Sequence, residues 1–231
     1  MKTATESLVE ELMRGPRTMN IGAHPFLVML ANGTCSRNSI KRYAIETYVI
    51  SSNFPQRLAS IAAICPDSSV RLELLRNMLE EEGVASFDGE HIVRRDERQH
   101  GELARRFAHA AGATDAELAH ARNKDRHETW VDRAVNERRL CAALAYLTVG
   151  FEGCVPPTYA LIVDALVRNY GFSRDDLEFF IMHMSADTDH SIIGAKMTAT
   201  LARSDEDREE ALTGVKRALT AWWWWHRSFA R

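Results

Sequence analysis

The chain has 231 residues, 45% of them hydrophobic and 26% charged, enough for one sizeable core and a single domain over residues 1–231. A formal net charge of −3 offers no basic excess for nucleic acid and no charged tail for a membrane surface, so neither is expected as a partner. No uninterrupted apolar run approaches the roughly 18 residues of a spanning helix, and the N-terminal "MKTATESLVEELMRG" reads as amphipathic and acidic rather than as a signal peptide.

The four cysteines, Cys35, Cys65, Cys141 and Cys154, are widely spaced and form no CxxC pair. They read as buried thiols in a reducing compartment, and a cytoplasmic location is expected.

In chain order, 3.6-residue apolar periodicity predicts helices near 3–14, 21–32, 37–63, 67–82, 92–112, 128–150, 154–170, 174–201 and 205–229, with no alternating strand pattern. Ser36, Asp67 and Ser173 stand where helix N-caps are needed, because their side-chain oxygens can accept from the first free amides. "ANGT", "EEGVASFDGE" and "AAGAT" read as turns or helix stops. The expected architecture is all-α, one bundle of about seven or more helices.

The run Trp222 to Trp225 is unusual. Four consecutive indoles on a helix point in all directions, so some seal the core or a subunit contact, and one can line a pocket.

The segment "IMHMSADTDH" carries His183, Asp187 and His190. Offsets of four and seven residues rotate by about 40° and −20° on a helix, so the three share one narrow face. Convergent lone pairs on a rigid element are what a metal ion requires. Asp189 falls off that stripe and reads as solvated. Glu152 is the single carboxylate of the apolar stretch "YLTVGFEGCVPPTYA". Ionised and unpaired there it would cost several kcal/mol, which a cation would relieve. Pro156 and Pro157 should bend the helix beside it.

Further ligand-type residues lie in "LLRNMLEEEGVASFDGEHIVRRDERQHGELARRF": Glu80, Glu81, Glu82, His91 and His100. Pattern alone does not choose among them. Glu97-x-x-His100 is one copy of a motif that ferritin-like di-iron bundles carry twice, and the missing second copy argues against that fold.

Taken together, these segments resemble the haem-oxygenase-like di-iron oxidases and oxygenases, whose helical fold is shared by thiaminase-like and pyrroloquinoline-quinone-synthase-like proteins. They resemble the para-aminobenzoate-synthase branch in particular. The likeness runs from about "AHPFLVMLANG" to the 190s. "KRYAIETYVISSNFPQRLASI" resembles the first core helix of the family and "LELLRNMLEEEG" its second, which places the metal-binding carboxylate at Glu81. "HGELARRFAHAAGATDAEL" resembles the segment that opens with a metal-binding histidine, His100. Glu152 and the HxxxDxxH pattern of His183, Asp187 and His190 complete the implied set.

The resemblance implies two Fe(II) ions per chain, with Glu81 and Glu152 as bridges and His100, His183 and His190 as terminal ligands, Asp187 beside them. O2 is then the co-substrate, with an external electron donor possible. The substrate is a small amino-acid-like or carboxylate molecule, in natural-product or cofactor biosynthesis, and the protein a homodimer. Three departures qualify this. The stretch between Glu81 and His100 is about a dozen residues longer than in similar family members, which leaves His91 as a competitor. Glu46, the only carboxylate of the first core helix, sits early and on a different face. The tyrosine and lysine that para-aminobenzoate synthases use fall at Leu27 and Ile162, so that activity is not implied. A metal-independent enzyme of the same fold and a non-enzymatic helical interaction protein are the alternatives.

Overall fold

The computed structural model describes residues 3–87, 91–124 and 129–230. Its helices are α1 (Ala4–Thr18), α2 (Pro25–Ala31), α3 (Arg37–Ile64), α4 (Ser68–Glu81), α5 (His100–Ala110), α6 (Asp115–Lys124), α7 (Trp130–Asn136), α8 (Leu140–Leu144), α9 (Val155–Tyr170), α10 (Glu178–Leu201) and α11 (Asp205–Arg227). A π-helical segment, Ala145–Phe151, and a 3₁₀ turn, Glu152–Cys154, join α8 to α9. The all-α expectation holds.

Two of the three predicted caps close as expected, and the Ser173 expectation is corrected: α10 begins at Glu178, with Leu177 as its N-cap. Ser36 accepts from the Ser39 amide at 3.0 Å, and Asp67 from the Ser69 and Val70 amides at 2.9 and 3.2 Å. Ser173 and Asp176 cap each other's backbone, and an open turn then leads into α10 at Glu178. The Ser36 and Asp67 bonds satisfy amides that the first helical turn would leave without an acceptor, whereas those of Ser173 and Asp176 close the turn before α10.

Three further expectations are corrected. The helix expected from 92 begins at His100; Val84–Phe87 (β1) and Ile92–Arg94 (β2) form an antiparallel hairpin instead. Ile92, Val93 and Arg94 are exposed, so no core contact rewards a helix there, and inward-facing spacing starts only with His100, Leu103, Ala104 and Phe107. Residues 88–90, within the stretch read as a turn, lie outside the described residues. The helix expected over 128–150 breaks at Glu137–Arg139, where Arg138 adopts a φ of 57°, and α6 was not foreseen because its apolar periodicity is weak.

The composite rod Leu140–Tyr170 is long and apolar enough to cross a membrane, yet 67% of its apolar window is buried inside the bundle. It packs against α10 and α11, and small residues permit the close approach. A Cβ on Gly194 of α10 would meet Thr148 Oγ1 at 2.3 Å, and one on Gly214 of α11 would meet the Ala142 carbonyl oxygen at 2.3 Å. The π segment and 3₁₀ turn interrupt this rod immediately before Pro156 and Pro157. The bend expected there takes the form of a change in helix type, and the 3₁₀ turn carries Glu152.

The tryptophans diverge as a helix requires. Trp222 is buried, Trp224 is 64% exposed, Trp223 packs edge-on against His24 at 4.5 Å, and Trp225 lines cavities.

Candidate metal centre

The second core helix ends at Glu81, and the chain must return for His100 to stand beside it. Gly83, at φ 72°, makes the turn; a Cβ there would meet the Arg95 carbonyl oxygen at 2.7 Å and the Gln99 amide at 2.8 Å. The Arg95 amide donates to the Gly83 carbonyl at 2.9 Å, and Gln99 Nε2 to Glu82 at 2.8 Å. The longer stretch between Glu81 and His100 is thus a hairpin tied shut at its base. It leaves His91 and Glu97 exposed and delivers His100 to the interior.

All six predicted residues come together in two groups. Glu81, His100 and His183 form one; Glu152, Asp187 and His190 form the other. Within each, one ligand-type atom per residue lies within 4.8 Å of the others, so either group could hold a metal ion. The three α10 residues face inward together, as their spacing predicts. His190 is nearly buried and the other five are buried. Asp189 is exposed, and so is Glu46, and neither belongs to either group.

In the first group His100 Nδ1 lies 2.8 Å from Glu81 Oε2, but out of line for a hydrogen bond, so the buried nitrogen has no such partner among the described residues. His183 Nδ1 lies 2.7 Å from the Phe179 carbonyl oxygen, which fixes the N–H there and leaves Nε2 facing Glu81 Oε1 at 3.9 Å. The His100 and His183 rings meet edge-on at 4.4 Å.

In the second group His190 Nδ1 lies 3.2 Å from Asp187 Oδ1 and 3.8 Å from Glu152 Oε1, while its Nε2 contacts Glu80 Oε2 at 2.9 Å. Asn77 Nδ2 donates to Glu152 Oε1 at 2.8 Å, and Glu152 Oε2 is buried with no partner. Sequence reasoning missed Asn77, although it stands one turn before Glu81 on α4 and so shares its face. Glu80 was hidden in the run of three glutamates.

The electrostatics point the same way. Burial, reinforced by the charge of Asp187, lifts the Glu152 carboxyl well above the ordinary value. Burial pulls the His190 imidazole down, but Asp187, Glu80 and Glu152 outweigh it and lift it to about 11. Burial also raises Glu81, and the imidazoles of His100, His183 and His190 more than offset that, holding it below the ordinary carboxylate range. Without a cation the Glu152 carboxyl and the His190 imidazole thus both hold their protons more tightly than usual. Three carboxylates and three imidazoles form an oxygen- and nitrogen-rich donor set suited to iron, and Glu152 Oε2, buried with no described partner, is an atom a cation would satisfy.

A cavity of about 30 Å³ touches both groups. Its walls include Glu81 and His183 from the first, Glu152 and Asp187 from the second, and Ser51, whose buried Oγ has no described partner. Tyr159 borders this cavity, and Arg57 and Tyr146 border its neighbour. Tyr43 is buried in an aromatic cluster with Phe26, Phe180 and Trp225.

Known proteins resemble this chain over most of its length. A 4-aminobenzoate synthase from Nitrosomonas europaea is 29% identical over 234 aligned residues, covering 95% of this chain and 89% of its own length. A TenA homologue from Pseudomonas syringae pv. tomato superposes with a TM-score of 0.74 over 98% of this chain and 92% of its own, at 15% identity. A Shewanella denitrificans domain with a haem-oxygenase-like fold gives 0.64 over 97% and 88%, at 12% identity. The fold is therefore haem-oxygenase-like. The model of the family described as iron-containing redox enzymes matches residues 41–223, a span that contains all six converging side chains, and the chain belongs to that family.

Proposed function

We propose that Glu81, His100 and His183 hold one iron ion and Glu152, Asp187 and His190 a second, and that the protein is an O2-dependent oxidase or oxygenase of a small amino-acid-like or carboxylate substrate. The observation that carries this reading is the pair of buried ligand groups bordering one cavity. A pair of ferrous ions would supply electrons and open coordination positions for reducing O2.

The chain's own residues orient and insulate. The Phe179 carbonyl holds the His183 ring so that Nε2 faces the centre, and Glu80 does the same for His190 Nδ1. Asn77 steadies one oxygen of Glu152 and leaves the other open. Phe151, Val155, Phe179 and Tyr159 keep the cavity wall largely apolar, which strengthens every charge interaction within it. Ser51 Oγ is the neutral polar atom placed to receive a substrate group.

The relative from Nitrosomonas europaea is named a 4-aminobenzoate synthase. Leu27 and Ile162, both buried and apolar, occupy the positions where the resemblance places the tyrosine and lysine of such synthases. With no phenol or amine at either position, the same product is not proposed for this chain.

Anaerobic titration with Fe(II), followed by O2 uptake in the presence of candidate amino acids and carboxylates, tests the proposal. Substrate-dependent uptake by the iron-loaded protein supports it. Turnover by chelator-treated protein would favour a metal-independent enzyme instead. Iron-loaded protein that consumes no O2 with any candidate would favour an interaction protein.

A further inference from the structure

A surface groove of about 740 Å³ runs between α3, α6 and the end of α11, lined by the exposed Arg42, Glu46 and His120 and by Glu117 and Ser228. One residue lines both this groove and the cavity at the ligand groups: Trp225. The same indole walls the chamber beside Phe54 and Phe151, so it alone borders all three spaces.

Trp225 stands in the last turn of α11. Four rings hold it there: Tyr43 at 5.3 Å, Trp222 at 5.9 Å, His226 at 4.6 Å and Phe229 at 5.4 Å. Its Nε1 is nevertheless buried with no described partner. A buried donor without an acceptor has lost its hydration and gained nothing in exchange. The groove supplies what the resting position lacks, because the carboxylates of Glu46 and Glu117 and the Ser228 hydroxyl offer oxygen acceptors along its walls. Turning outward gives up the four ring contacts and gains a hydrogen bond or water. Four ring contacts outweigh one hydrogen bond, so the inward position predominates. The unmet donor narrows the gap and keeps the outward position populated as a minor state.

We propose that Trp225 is the gate of the candidate metal centre: its indole swings between the inward position and the surface groove, and a molecule entering from the groove reaches the ligand groups only while the ring is out. The swing itself stands on the geometry of the indole; that an iron centre lies behind it rests on the reading above.

Two measurements test the gate. In chelator-treated, ¹⁵N-labelled protein, the indole N–H signals are followed after transfer to D2O, with that of Trp225 assigned by its loss in Trp225→Phe. The Trp225 N–H is expected to exchange well ahead of that of Trp222, which donates to Thr158 Oγ1 at 3.3 Å. In ferrous-loaded protein of measured iron content, nitric oxide binding is followed by stopped-flow absorbance. Binding should be faster by at least about tenfold in Trp225→Ala, because an open state of about a tenth or less is what the wild type offers. Trp224→Ala, altered at a 64% exposed ring that lines none of the three spaces, should bind like the wild type. Circular dichroism verifies that the variants are folded, and Trp225→Leu gives the same comparison with an apolar side chain retained. A Trp225 N–H protected as long as that of Trp222, or nitric oxide binding as fast in the wild type as in Trp225→Ala, would overturn the inference. Early exchange at Trp225 with no nitrosyl complex in any protein supports the swing and removes only the iron reading.

Discussion

Glu80 Oε2 lies 2.9 Å from His190 Nε2 and turns the opposite ring nitrogen toward Asp187 and Glu152. Glu80 is more than half exposed, so its value lies in orientation rather than in burial. Carboxylates that hold a metal-binding imidazole from behind typically affect affinity by about 10–100-fold. Glu80→Ala is expected to weaken one of the two irons by that order and leave the other in place, read as biphasic release to a competing chelator. Loss of both ions together would show that Glu80 supports the fold instead.

Gly194 stands one turn beyond His190 on α10, where a Cβ would meet Thr148 Oγ1 at 2.3 Å and its carbonyl oxygen at 2.8 Å. Gly194→Ala must push α10 away from the π segment that precedes Glu152. Overpacking of this kind costs about 1–3 kcal/mol. The urea midpoint should fall accordingly, and iron content should fall with it, because the second group draws its ligands from both elements.

His226 is fully buried against Trp222 and Trp225, and burial drives its imidazole down to about 3. The folded value lies below the ordinary 6.5, so the neutral ring costs nothing above pH 6.5. As pH falls from 6.5 toward 3, the unfolded chain takes up a proton that the native state refuses, and stability drops by up to about 1.4 kcal/mol per unit. His24, 5.8 Å away, is lowered by burial in the same sense. His226→Phe should therefore show a smaller loss of stability between pH 7 and pH 5 than the wild type, by about 2 kcal/mol in denaturant titrations.

His91 and Glu97 are both exposed and lie in the segment closed off by Gly83 and Gln99. His91→Ala and Glu97→Ala should each leave iron content unchanged. Loss of iron in either would move the metal site into the hairpin.

The α10 stripe was legible from spacing because three polar residues at helical intervals inside apolar sequence leave few alternatives, and Glu152 was legible because nothing around it could pay for a buried charge. Glu81 and His100 were not. Each lies at a helix end, at the last residue of α4 and the first of α5, where periodicity carries no phase information, and only the family resemblance singled them out. The hairpin between them escaped notice because its strands are short and β2 is exposed, so no inward-facing alternation marks it. Asn77, Glu80 and the Phe179 carbonyl act through three-dimensional neighbours, which sequence patterns do not record.

Metal analysis after anaerobic Fe(II) loading tests the central claim most directly, applied to the wild type, His183→Ala and Glu152→Ala. Two irons per wild-type chain are expected, and one or none in each variant, with helical circular dichroism unchanged. Two irons in both variants would contradict the assignment of these side chains to the metal centre.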